Sequence, residues 1–242
     1  MTDLIKYRGF ATWFLLLVVT LANCKKDLTK DEIIRYSGSK GITYDIDSNG
    51  YETFGVGDQI WMSQNLRTSR LNNGIKINLV TENNQWITLN QPGYCWYKND
   101  SIENEKFGAL YNYFTIESGL LCPVGWHVPT QEDWNYLING FGGINVAGDV
   151  LKGRNPTLAH VIQWGPHSFA NPPAFRALPG GYRDALSKRQ FISIDTGAYW
   201  WTMKSYGDTR YYATSILALD STVYSKYFSR KDGLSIRCVK NK

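Results

Sequence analysis

Apolar and polar residues alternate over short stretches along most of the chain, and glycine-rich turns separate these stretches. Residues 42–47 and 51–56 show this alternation on either side of Asn49-Gly50. Because Asn-Gly readily adopts the positive φ angles of a tight turn, the pattern predicts a β-hairpin. Comparable stretches predict further strands, at residues 59–62, 75–77, 108–116, 199–202, 211–219, 222–228 and 234–239.

One segment has the spacing of an amphipathic helix. Thr130 can cap its amino terminus, and Asp133 stands where it completes a capping box. Apolar residues then recur three or four positions apart until a Gly-Gly pair ends the pattern: Trp134, Leu137, Ile138 and Phe141. A shorter helix is predicted over residues 146–152.

The arrangement of these elements predicts an α+β fold, with short antiparallel strands, one or two helices and long loops. No internal repeat or low-complexity linker interrupts the pattern after residue 42, so we expect a single domain over residues 42–242. Hydrophobic residues make up 43% of the chain, which excludes a disordered tail. The net charge of +5 is scattered, and without a concentrated basic stripe we expect no nucleic-acid partner.

The amino terminus has the pattern of an export signal. A short basic region with Lys6 and Arg8 precedes the uncharged run 11–22, which is shorter than the ~20 apolar residues of a membrane-spanning helix. Cys24 follows this run in a setting that resembles a bacterial lipobox. We therefore expect a signal peptide over residues 1–23, acyl chains on Cys24 and a flexible tether over 24–41; the alternative is an ordinary secretory signal with a free Cys24.

Eight blocks, in family order, resemble the Fibrobacter succinogenes major paralogous domain. They lie at residues 45–51, 61–66, 94–97, 108–112, 122–130, 178–183, 199–202 and 233–239. The resemblance implies a domain common in lipoproteins of Bacteroidetes and Fibrobacteres, without an assigned enzymatic activity. Residues 129–134 and 237–239 also resemble parts of the formylglycine-generating enzyme, which implies a C-type-lectin-like fold. The catalytic cysteine arrangement of that enzyme is not recognisable, so its reaction is not implied.

The localisation expected from these resemblances is the outer membrane, with the protein held by its lipid and facing the cell exterior. Lys25, Lys26 and Asp27 resemble the charged export signals of some Bacteroidetes surface lipoproteins. We therefore expect the protein to attach to the membrane through its amino-terminal lipid. The sequence does not indicate an oligomeric state.

Three cysteines remain once Cys24 is set aside, an odd number for an exported protein in which disulfides persist. We expect one disulfide and one free thiol. Cys238 lies on the last predicted strand and is expected to pair with Cys122, with Cys95 as the alternative partner. His127 lies five residues after Cys122, but no third residue can be placed to orient a catalytic pair; we expect a structural histidine.

The first hairpin contains a weak calcium pattern. Asp45, Asp47 and Asn49 alternate ahead of Gly50, as oxygen ligands do in the first half of a calcium loop. The twelfth position is Val56 and not a bidentate Glu, so we favour the interpretation that these side chains shape the turn through hydrogen bonds. We expect no cofactor, and calcium is the alternative.

The chain is rich in aromatic residues, with 9 Trp, 16 Tyr and 10 Phe. Those within predicted strands or the helix are expected in the core: Trp61, Trp126, Trp134, Trp200 and Trp201. Those in predicted loops are ligand-binding candidates, although loop packing is the favoured interpretation for each: Trp86, Trp96, Trp164, Tyr94 and Tyr97. Arg183 follows a Gly-Gly turn, where it could meet an anionic ligand, although bracing of loops is the favoured interpretation.

Together these patterns predict a surface lipoprotein with a non-catalytic binding or adhesion module, whose ligand is a glycan or a partner protein. Two other classes stay open. A structural component of a surface assembly would expose a large apolar patch, and an enzyme acting on extracellular polymers would need convergent titratable groups in a cleft.

Overall fold

The computed structural model describes residues 36–152, 164, 175–187, 189–206 and 210–242, with only the backbone at 36–40, 204–206 and 210. Cys24 and the expected signal peptide lie outside the described residues, as does most of the expected tether. In the described part of the chain, no helix is both long enough and apolar enough to cross a bilayer.

The largest sheet has five strands in the order β1-β2-β3-β13-β7. Its members come from both ends of the domain: β1 Tyr36–Tyr44, β2 Gly50–Val56, β3 Gln59–Met62, β7 Trp126–His127 and β13 Val239–Lys240. Because β13 pairs antiparallel with both β3 and β7, the last strand joins β3, which is itself paired with β2 of the first hairpin, to the middle of the chain.

Three smaller sheets complete the strand framework. They are β4 Asn78–Leu79, β5 Gly93–Cys95 and β6 Leu110–Tyr111; β8 Gly180–Arg183 and β9 Phe191–Ile194; and β10 Gly197–Tyr206, β11 Arg210–Leu217 and β12 Val223–Ser229. Among the paired strands that the structure describes, β4 and β5 alone run parallel. The fold is therefore α+β, with mostly short antiparallel strands, as the sequence predicts.

Within the described residues, five short α-helices lie between the strands: α1 Asn83–Thr88, α2 Ser101–Asn104, α3 Tyr113–Glu117, α4 Gln131–Gly140 and α5 Ala147–Leu151. The longest, α4, is the predicted helix. Thr130 accepts from the Asp133 amide at 3.2 Å, and the Asp133 carboxylate accepts from the Thr130 amide at 2.9 Å, which completes the predicted capping box. Its apolar side buries Trp134, Leu137 and Ile138.

Three predicted strands are shorter than expected. Residues 75–77 form only an isolated bridge, between Lys76 and Arg70. Residues 108–116 form only β6 before helix α3 begins, because the Asn112 side chain caps that helix by accepting from the Thr115 amide. Of residues 234–239, only Leu234 and Ser235 form isolated bridges before β13 begins at Val239. Backbone hydrogen bonds still tie the segment to its neighbours, since the Ile236 and Cys238 carbonyls accept from the Leu66 and Met62 amides at 2.8 and 3.1 Å. The buried guanidinium of Arg237 adds hydrogen bonds to Asn65 Oδ1 at 2.6 and 3.1 Å.

The core is aromatic where the large sheet meets α4. Trp61, Trp134 and Trp200 are fully buried, and Phe175 packs against all three with ring centroids 5.4–6.1 Å apart. Trp201 is also fully buried, as expected, whereas Trp126 is only partly buried. Edge and tilted contacts of this kind are the favourable geometries for aromatic pairs.

A disulfide joins Cys122 to Cys238, with the two Cα atoms 6.0 Å apart. It links the segment before β7 to the residue that precedes β13. This is the pairing preferred from the sequence, and Cys95 is left as a free, buried thiol.

Candidate functional site

Four of the five loop aromatics are buried rather than open to solvent. Trp86 and Trp164 have exposed fractions of only 1%, and Tyr94 and Tyr97 are also buried. Only Trp96 is partly exposed. The premise that these rings lie open on loops is therefore wrong for four of the five.

The buried tryptophans have structural partners. Trp86 lies in α1, where its indole N–H donates to the Lys231 carbonyl at 2.7 Å. The indole of Trp164 donates to the Ala177 carbonyl at 2.8 Å. A buried indole usually finds such an acceptor, so both rings serve as packing elements. The segment around Trp86 reads as a polar loop in the sequence because its contacts come from residues almost 150 positions away.

Arg183 holds the loop after β4 in place, in agreement with the favoured interpretation that it braces loops. It is fully buried, and its Nη1 and Nη2 atoms donate to the carbonyls of Val80 at 2.8 Å and Thr81 at 3.3 Å. The guanidinium also lies 4.3 Å from the centroid of Trp86 and 5.3 Å from that of Phe191. An anionic ligand in solvent does not reach this group.

The free thiol of Cys95 lies beside the same guanidinium. Burial raises the pKa of Cys95 to about 11, and the charge of Arg183 only partly opposes this. Because the thiolate is the reactive form, this cysteine is chemically inert in the folded protein.

The Asp45–Asn49 turn uses its oxygen atoms internally. The Asp45 carboxylate accepts from the amides of Asp47 and Asn49, both at 2.9 Å, from the Asn49 side chain at 2.9 Å and from the Tyr51 hydroxyl at 2.6 Å. These are the turn-shaping hydrogen bonds expected from the sequence. Among the described residues, no group of three or more His, Cys, Asp or Glu side chains is arranged to hold a metal ion.

Asp47 connects the turn to the next loop. Its Oδ2 accepts from the Ser69 amide at 2.6 Å, the Ser69 hydroxyl at 2.8 Å and the Thr68 hydroxyl at 3.1 Å, while Oδ1 lies 3.1 Å from Arg70 Nε. Burial alone would raise the pKa of Asp47, but the hydrogen bonds from Ser69 and Thr68 and the charge of Arg70 together lower it. Asp47 therefore stays ionised over a wide pH range.

The carboxylate of Asp47, in the first turn, lies near enough to Tyr94 of strand β5 to affect its ionisation. Tyr94 stacks on Tyr111 with centroids 6.0 Å apart and meets Trp96 edge to face at 6.4 Å. Burial raises the pKa of Tyr94, and the nearby carboxylate of Asp47 raises it further. We call the group formed by Asp47, Arg70, Tyr94 and Trp96 the Tyr94–Trp96 surface.

This surface retains groups that can bind a ligand. The Arg70 side chain is 47% exposed, and the Trp96 ring is partly exposed. The Tyr51 and Tyr111 hydroxyls donate to Asp45 and to the Thr68 carbonyl, whereas the Tyr94 hydroxyl makes no hydrogen bond to another described residue. The surface thus combines the partly exposed ring of Trp96 and the exposed Arg70 of an ion pair with a Tyr94 that is 8% exposed.

The sequence pointed to three residues of this surface but not to their proximity in the fold. Tyr94 and Trp96 came from the ring pattern, and Asp47 came from the calcium pattern. Arg70 was missed, because nothing in its local sequence distinguishes it from other exposed cations.

Residues 55–240 match the model of the Fibrobacter succinogenes major domain. The chain belongs to this family. No curated protein and no solved structure matches the chain. Arg70, Tyr94 and Trp96 lie within the part that matches the Fibrobacter succinogenes major domain, whereas Asp47 precedes it.

A second polar cluster in this Fibrobacter succinogenes major domain resembles a catalytic pair. His127 Nε2 lies 3.0 Å from Asp133 Oδ2, and Nδ1 lies 2.6 Å from Asn241 Oδ1. The hydrogen bond with Asp133 raises the pKa of His127, and it helps to lower the pKa of Asp133 to about 2 despite partial burial. Cys122, the nucleophile considered near this histidine, is held in the disulfide and cannot attack a substrate. The contacts of His127 instead join β7 to α4 and to Asn241 near the carboxyl terminus.

Proposed function

We propose that this protein is a lipid-anchored surface protein of the outer membrane, and that its domain is a non-catalytic binding module for a glycan. We also propose that the domain is C-type-lectin-like. The mixture of short antiparallel strands and few helices supports this, as does the pairing of the last strand with β3, near the start of the domain.

The observation that carries the glycan proposal is the Tyr94–Trp96 surface. Sugars present apolar C–H faces and hydroxyl groups together, so their binding sites combine aromatic rings with polar groups that fix orientation. Trp96 supplies a ring, and the Asp47–Arg70 ion pair supplies an acceptor and several donors. The Tyr94 hydroxyl makes no hydrogen bond to another residue that the structure describes, so it can bond to a ligand.

The glycan proposal is tested with a glycan array probed by the chain that starts at residue 25. Trp96→Ala removes the stacking ring, and Tyr94→Phe removes only the hydroxyl. We expect each to weaken binding by about tenfold, because a lost stacking contact or ligand hydrogen bond costs about 1 kcal/mol or more.

Two matched variants control for general effects on the fold. Trp126→Ala removes another partly buried tryptophan that packs against the same core, and Tyr227→Phe removes a hydroxyl on a distant exposed strand. Both should bind as the wild type does. The site assignment would be refuted if Trp96→Ala and Trp126→Ala weakened binding equally, or if Trp96→Ala and Tyr94→Phe both bound as the wild type does. A chain that captures surface proteins and no glycan would make a partner protein the ligand.

The anchor is tested separately from the ligand. Protein extracted from membranes should carry the mass of acyl chains on Cys24, and Cys24→Ala should release the protein into the soluble fraction. Several acyl chains hold a protein durably because each buried methylene contributes ~0.8 kcal/mol. An unmodified Cys24 in the membrane-extracted protein would refute the anchor.

A further inference from the structure

An exposed apolar row lies on the outermost strand of the five-stranded sheet. Ile42 and Tyr44 are two positions apart on β1, and Ile46 follows in the turn, with exposed fractions of 61%, 61% and 40%. Because side chains alternate across a strand, Ile42 and Tyr44 point to the same face. Asp45, between the two exposed positions 44 and 46, is buried.

The first two members of the row form one continuous patch. Gly50 lies opposite Tyr44 in the β1–β2 register. A Cβ atom at Gly50 would lie 3.2 Å from Tyr44 Cε1 and 3.5 Å from Ile42 Cγ2, so both side chains cover the bare backbone of the glycine. Glu52, opposite Ile42, is paired with Arg176 at 2.8 Å, so the charge bordering the patch is compensated.

The backbone of β1 is poorly suited to pairing with a second copy. Its register shifts twice, between Tyr36 and Ser39 and between Ser39 and Gly41. Such irregularities bend an edge strand and disrupt the ladder that another strand would extend. We therefore expect the row to bind a partner surface through its apolar side chains rather than through the backbone hydrogen bonds of an added strand.

The position of the row in the chain points to a lipid surface. Strand β1 starts 12 residues after Cys24, and an extended chain spans at most ~3.6 Å per residue, so acyl chains on Cys24 would hold β1 within ~43 Å of the bilayer. Residues 25–40 contain five Lys or Arg against three Asp or Glu, a balance that anionic lipids attract.

We propose that Ile42, Tyr44 and Ile46 dock on the lipid surface that holds the acylated Cys24. This inference rests on the lipid anchor of the proposed function. Isoleucine buries apolar area at such a surface, and tyrosine is enriched at the level of the headgroups. Because Asp47 directly follows Ile46, docking sets the Tyr94–Trp96 surface beside the headgroup layer, where the sugar headgroups of glycolipids are the nearest glycans.

The test uses the full acylated chain in vesicles of phosphatidylcholine and phosphatidylglycerol. An environment-sensitive fluorophore is attached at Ile46→Cys or, as controls, at Ile102→Cys or Leu186→Cys, whose native residues are 90% and 83% exposed. Buried Cys95 does not compete for the label. Lipids brominated on the acyl chains should quench the probe at 46 about twofold or more above the controls, since only that probe would reach the acyl boundary.

A second variant separates docking from mere proximity. Ile42→Ser/Tyr44→Ser should abolish the excess quenching at position 46, whereas Ile102→Ser/Leu186→Ser, with the same number of exposed apolar residues removed, should leave it intact. Equal quenching at 46 and at the control positions would overturn the proposal, as would excess quenching that survives Ile42→Ser/Tyr44→Ser.

Two further measurements distinguish other failures. A concentration-dependent shift of the probe at 46 without vesicles would identify the row as an interface between copies and overturn the lipid proposal. Mass spectrometry of the same samples reports acylation of Cys24, so a missing anchor is recognised separately from an acylated protein whose row does not dock.

Discussion

Opening the Cys122–Cys238 disulfide is expected to destabilise the protein strongly. The bond spans 116 residues, and the loop-closure relation for a loop of this length corresponds to about 4.8 kcal/mol at 25 °C. Both cysteines are buried in the main core, so alanine at each position leaves only a small void in addition. We expect Cys122→Ala/Cys238→Ala to lower the free energy of unfolding by about 2–5 kcal/mol.

Urea denaturation of the chain that starts at residue 25 provides the assay. Cys95→Ala is the matched control, because it removes a buried cysteine without opening a disulfide. Thiol titration of the denatured, unreduced wild type should count Cys95 alone. A double variant as stable as Cys95→Ala, or a wild type that titrates three thiols, would refute the argument that this bond constrains the unfolded chain.

Three further predictions concern single side chains. Arg183→Ala should lower the free energy of unfolding by about 3 kcal/mol, because it leaves the Val80 carbonyl without its donor and opens a void beside Trp86. Calorimetry would measure this loss, and Arg189→Ala, at an exposed position, should unfold as the wild type does. Burial raises the pKa of Asp232 from 3.8 to about 6, so the folded state favours its protonated form, and the wild type should lose up to about 3 kcal/mol of stability as the pH rises from 3.8 through about 6. Urea titrations across this range should show a flatter profile for Asp232→Asn, and identical profiles would contradict the assignment. Thr130→Ala should cost about 1 kcal/mol in thermal unfolding through loss of the capping box, and an unchanged melting temperature would contradict that role.

Apart from the Cys122–Cys238 disulfide, which spans 116 residues, the predictions that the structure confirms depend mostly on residues close together in the chain. The α4 capping box needs only Thr130 and Asp133, three residues apart. The predicted first hairpin is present, but it turns over residues 45–49, and Ser48 takes the positive φ angle expected of Asn49-Gly50. Local hydrogen bonds and backbone preferences decide such features, so they can be read from short stretches of sequence.

The exposure of the loop aromatics could not be read in this way. Trp86 lies among polar residues in the sequence, yet Lys231 and Arg183 bury it. The polar neighbours indicate a surface segment correctly, but the direction in which one ring points depends on residues far away in the chain. The same reason explains why Asp47, Arg70 and Tyr94 were not recognised as one surface.

The sequence by itself determined the family, the α+β class, the main helix and the preferred disulfide, because each rests on motifs or on local patterns. Only the tertiary structure decided which aromatic rings are buried, that Arg183 lies among carbonyls and rings, and that the first turn meets strand β5. Burial is a property of contacts between distant segments, and for long side chains such as Trp and Arg the same local sequence is compatible with either environment.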